Sequence, residues 1–145
     1  MKVLVIDPAL TIYSYTIFED DKVIFYKTID LTKGKKKLTQ ESRLWAIFEE
    51  LTNNKLCDTI DLMIVERQFV DIMGQIVGAI RAFAGKTDIK TIMMVPSSWR
   101  KKLTGKGNAS EDLVLETVKK VYDVEGLSEH DIDCLAMYLA WKNGK

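Results

Sequence analysis

Along the chain, short apolar runs alternate with stretches in which apolar residues recur every three or four positions, the signatures of buried strands and amphipathic helices. Lys2 to Ile6 predicts a strand, and Tyr13 to Phe18 and Lys22 to Tyr26 predict two more, joined by Asp20 and Asp21 as a hairpin turn. From Gln40 to Thr52, Leu44, Ile47, Phe48 and Leu51 share one helical face. Leu62 to Glu66 is a fourth strand. The next segment, Asp71 to Ala84, is apolar almost all round, through Ile72, Met73, Ile76, Val77, Ile80 and Phe83, with Gly74, Gly78, Ala79 and Ala82 between them. Such a helix needs cover on two sides. Thr91 to Val95 predicts a fifth strand stopped by Pro96, with Ser97 capping a short helix that carries Trp99 to Leu103. Ser110 is placed to cap a helix whose inner face is Leu113, Val114, Thr117, Val118 and Val121. Ser128 opens the last helix, with Asp131 as its capping-box partner. The order βββαβαβ followed by helices predicts an α/β fold, a five-stranded mixed sheet flanked by helices.

Composition adds bounds. With 145 residues, 47% of them hydrophobic, the chain suits one domain over 1–145. No apolar run approaches the roughly 20 residues of a membrane span, so a soluble, unexported protein without a membrane partner is expected. Cys57 and Cys134 have no CxxC or CxxH neighbours, which argues against a zinc site or disulfide framework and favours a reducing cytoplasm. Net charge is zero, yet Lys33, Lys35, Lys36 and Lys37 form one acid-free cluster and Arg100, Lys101, Lys102 and Lys106 another. Removing those 8 from 21 basic residues leaves 13 against 21 acids elsewhere, so positive potential collects in two segments able to grip phosphates.

The chemistry concentrates at element ends. Asp7 follows VLVI and Glu66 follows LMIV, so strands hold both acids, and adjacent strands would bring them to one end of the sheet. On the last helix His130 and Asp133, three apart, lie on one face, whereas Asp131 turns away to cap. Glu129, four before Asp133, shares its face and stands as a substitute ligand. Each residue alone has an ordinary structural explanation, but strand-buried acids are uncommon unless paired or metal-bound. Hard oxygen donors with one imidazole suit magnesium or manganese. A two-metal phosphodiester nuclease needs such a set, and a histidine ligand, neutral when bound, would release metal below roughly pH 6.5.

IDPALTIYSY resembles the opening segment of the RuvC Holliday junction resolvases, IVERQF their strand ending in Glu followed by an aromatic, LTGKGNAS their glycine-rich basic loop, and HDIDCLAMYLAW their closing segment. The four occur in the family's order across nearly the whole chain. The resemblance implies an RNase H-like fold and a homodimer, with the Asp71 to Ala84 helix as the natural interface. It implies two Mg²⁺ or Mn²⁺ per subunit, with Asp7 bridging both, Glu66 completing one, and His130 and Asp133 completing the other. It further implies Phe69 stacking on an unpaired base, and Arg100, Lys101 and Lys106 holding the backbone of branched DNA, especially four-way junctions, in a bacterial or phage-infected cytoplasm. The compact length resembles phage or mobile-element members. Three departures stand out: Ala9 replaces the family's glycine, His130 stands where many members carry Asp, and Ser110, Glu111 and Asp112 occupy a stretch where a basic residue is expected. A junction-binding protein with weak or no catalysis and an RNase H-like RNA nuclease remain as alternatives. A sugar-kinase or actin-type ATPase is disfavoured by length.

Overall fold

The computed structural model describes residues 1–8, 11–32, 39–67 and 71–144, with the backbone alone at 71–74. Five strands, β1 (Lys2–Asp7), β2 (Ile12–Glu19), β3 (Lys22–Asp30), β4 (Leu62–Glu66) and β5 (Lys90–Met94), form one sheet in the order β3-β2-β1-β4-β5. The first three strands pair antiparallel, and β1, β4 and β5 pair parallel, so the sheet is mixed as the sequence pattern predicts. Asp20 and Asp21 make the β2–β3 turn with φ of 49° and 69°, the two positive values that a tight hairpin requires.

The helices are α1 (Gln40–Asn53), α2 (Asp71–Thr87), α3 (Pro96–Thr104), α4 (Glu111–Lys119) and α5 (Glu129–Asn143), with a 3₁₀ turn at Lys55–Thr59. Helices α1 and α2 cover one face through Ile47, Leu51, Ile76, Ile80 and Phe83 against Leu4, Ile6, Met63 and Val65. Helices α3, α4 and α5 cover the other, where Trp99, Val114, Val118, Leu135 and Tyr138 pack on Val3, Val5, Phe18 and Ile64. Tyr138 stacks on Phe18 with ring centroids 3.8 Å apart.

Several local expectations need correction. Ser97 does not cap α3: Pro96 occupies its first turn after Val95, which makes no side-chain cap bond. Proline suits that place because its fixed φ is already helical and its missing N–H would have had no partner. Val121 is exposed, because α4 ends at Lys119 before the helical face reaches it. Strand β3 runs on to Asp30, drawn out by β2, whose Ile12 pairs with that residue. The caps at Ser110 and Ser128 form as the sequence predicts, the latter as a full capping box with Asp131.

Candidate active site

Strand pleat decides which face each acid joins. Val3 and Val5 turn toward α5, so Asp7, two further on, does too. Leu62 and Ile64 do the same in β4, which places Glu66 on that face. Ile6 pairs with Val65 in parallel register, so the two carboxylates leave neighbouring strands at the same level. Both are buried, Asp7 4% and Glu66 5% exposed.

The start of α5 is pinned above them. Thr28 Oγ1 on β3 donates to Asp131 Oδ1 at 2.9 Å, lies 2.9 Å from Ser128 Oγ, and meets Ser14 Oγ at 2.6 Å. Asp131 Oδ2 in turn accepts from the Ser128 N–H. Asp131 is therefore a buried anchor of the helix end. That anchorage brings His130 Nδ1 to 2.9 Å from Asp7 Oδ2. The hydrogen bond to Asp7 raises the imidazole pKa, against the lowering effect of burial. Asp133 faces the same spot: burial, with the charges of Asp7 and Glu66, pushes its carboxyl up to about 7.

Glu129, the alternative ligand, lies beside Glu111 at the start of α4; a hydrogen bond between the two raises the exposed Glu111 carboxyl. It still adds negative charge at Asp133 and His130. Arg100 opposes that charge at Asp133 while its guanidinium lies 5.2 Å from the centre of the Trp99 ring. Its Nε is buried with no hydrogen-bond partner among the described residues. Lys101, Lys102 and Lys106 are exposed around the α3 C-terminus, where Gly105, at φ 85°, makes the left-handed cap. Phe69, Ala9 and the Lys33 to Lys37 cluster lie outside the described residues.

Trp99 was not singled out by sequence. Fully buried, it donates its indole N–H to Glu66 Oε2 at 2.7 Å. The available signal is a tryptophan on the short, mostly polar helix after β5, which reads equally as core packing.

The donor chemistry fits a hard divalent cation. Desolvated carboxylates converge on one end of the sheet, and burial, with the charges of Asp7 and Glu66, pushes the Asp133 carboxyl up to about 7. Among the described residues no three His, Cys, Asp or Glu side chains stand close enough to enclose one ion, so metal binding requires the side chains to draw inward. No helix among the described residues is long and apolar enough to cross a membrane.

No protein-family model matches the chain, and no curated protein does either. Solved structures do. Thermus thermophilus RuvC shares 18% identity over 99% of this chain and 94% of its own, with a TM-score of 0.79. The same protein in complex with its Holliday junction substrate also scores 0.79, at 18% identity over 97% and 92% of the two chains. The yeast mitochondrial Holliday junction resolvase Ydc2 scores 0.62, at 16% identity over 97% of this chain and 79% of that one. The chain thus has the RNase H-like fold of RuvC.

Proposed function

We propose that the chain is a divalent-metal-dependent endonuclease that resolves four-way DNA junctions by paired, symmetric nicks. The observation that carries this reading is the meeting of Asp7 and Glu66, buried at the ends of adjacent parallel strands, with His130 and Asp133 from the start of α5. Two similar folds are junction resolvases, one solved on its junction substrate.

In this reading Asp7, Glu66, His130 and Asp133 hold two Mg²⁺ or Mn²⁺, which supply charge stabilisation for the attacking water and the leaving oxygen. Asp7, hydrogen-bonded to His130 and on the strand beside Glu66, would be the ligand shared by both ions. His130 would hold a metal only as a neutral imidazole, so wherever its ring carries a second proton that proton would be released on loading. Asp133 likewise deprotonates on loading. Lys101 and Lys106 hold backbone phosphates, and Arg100 combines a phosphate-binding charge with stacking on Trp99. Phe69 stacks on an unpaired base.

Pairing of nicks requires two subunits. The outer surface between α1 and α2 carries Leu44, Trp45, Phe48, Ala79 and Ala82 around an apolar hollow, with Trp45 60% exposed. This surface supports a homodimer through α2. The loosely matching loop motifs favour a phage or mobile-element member acting in the cytoplasm of its host.

The reading is tested by incubating the protein with a mobile four-way junction, a linear duplex and an RNA·DNA hybrid in Mg²⁺ or Mn²⁺. Symmetric cuts in the junction are expected. Preferential cutting of the hybrid would make it an RNA nuclease, and tight junction binding without cutting a non-catalytic binder.

A further inference from the structure

Glu66 is nearly out of contact with water, and a desolvated carboxylate needs donors to remain ionised. One of its oxygens takes the Trp99 indole N–H at 2.7 Å, a short hydrogen bond. Indole nitrogen is a donor only and fixes a direction through a rigid ring. The ring's place is set in turn by the chain path. Strand β5 ends at Met94, the register partner of Glu66, and the Arg67 N–H bonds the Met94 carbonyl at 2.7 Å. Helix α3 begins two residues later at Pro96, so its first turn returns Trp99 over the end of β4. The same ring carries the Arg100 guanidinium, so it links the Glu66 carboxylate to a cation.

We propose that Trp99 is a positioning residue: its indole N–H fixes the rotation of the Glu66 carboxylate and so sets divalent-metal affinity at this end of the sheet. The inference rests on the metal-dependent reading above. A buried phenylalanine would fill much of the same space without donating, so the aromatic volume belongs to the core and the N–H to the site. Partners that orient a ligand typically contribute 10- to 100-fold in metal affinity.

The test compares wild type and Trp99→Phe as full chains, measuring Mn²⁺ binding directly by calorimetry and paramagnetic resonance. Expected is a dissociation constant raised by about tenfold or more, and a raised Mn²⁺ requirement for junction cleavage, with the loss largely recovered at saturating Mn²⁺. Glu66→Gln should lose cleavage at every Mn²⁺ concentration. Independently of any variant, the indole N–H resonance of Trp99 should shift on Mg²⁺ titration while those of Trp45 and Trp141 stay fixed. This second readout decides the matter if Trp99→Phe does not fold. Equal Mn²⁺ affinity in a folded Trp99→Phe, or an unresponsive Trp99 resonance in a wild type that binds Mg²⁺, overturns the positioning role and leaves the metal site standing. Absence of metal binding by the wild type overturns both.

Discussion

Replacing Asp133 by Asn should stabilise the metal-free protein at pH 8. In the folded chain burial and the charges of Asp7 and Glu66 raise this carboxyl from an ordinary 3.8 to about 7. The folded protein therefore holds the proton more tightly than the unfolded chain. The acid's stabilising contribution is complete below about pH 4, falls as the pH rises, and is gone once the pH passes about 7. A rise from 3.8 to about 7 corresponds to about 4 kcal/mol; because Asp133 is only partly buried, screening by water and salt reduces the expected gain to about 1–2 kcal/mol. Asparagine preserves the shape and carries no charge, so the unfolding midpoint at pH 8 in EDTA should rise by roughly 2–8 °C. At pH 4 the two proteins should be nearly equal. Thermal unfolding followed by circular dichroism reads both. Mg²⁺ at about 100 times its dissociation constant should stabilise the wild type by about 2.7 kcal/mol and the variant by less. An Asn variant clearly less stable than wild type at pH 8 in EDTA would refute the reasoning, since the carboxylate would then be satisfied by a partner and not repelled by its neighbours.

Other consequences are local. Because Asp7 raises the His130 pKa, Mn²⁺ affinity measured by calorimetry should begin to fall at a higher pH than an isolated imidazole would dictate. His130→Ala should weaken binding and His130→Asp should restore it, with the pH dependence displaced downward. A side chain at Gly78 meets nothing within 4 Å, so Gly78→Glu should leave the unfolding midpoint nearly unchanged. Sedimentation should show it turning a dimer into monomers. Replacing the exposed Lys101 and Lys102 by Ala should weaken junction binding equally for all sequences and reduce the salt slope of log K by about 2.

Strand pattern carried much of this site. The continuous apolar runs of β1 and β4 are legible, and with them the exit of Asp7 and Glu66 from buried strands; the sequence predicts the two strands to be neighbours, and their parallel pairing comes from the structure. The α5 capping box was legible because Ser128 and Asp131 stand at the required spacing. The sequence did not reveal that Thr28 reaches across from β3 to hold that cap, since the contact joins residues 103 positions apart. Nor did it reveal that Arg100 lies over Trp99, because a charge run says nothing about which member folds back. The role of Trp99 is not legible in the sequence: a donor to a buried acid and a core aromatic look alike until the acid's position is known. Val121 lies two residues past the end of α4, where helical periodicity no longer sets which way a side chain faces.

The most direct measurement is divalent-dependent cleavage of a four-way junction by wild type and Asp7→Asn, with junction binding measured in parallel. Asp7 is buried between the neighbouring strand's acid and His130, while the exposed lysines lie on α3 and the loop after it. Wild type should therefore cut and the variant should bind with undiminished affinity but not cut. Full cleavage by Asp7→Asn, or no metal-dependent cleavage by the wild type, would contradict the account.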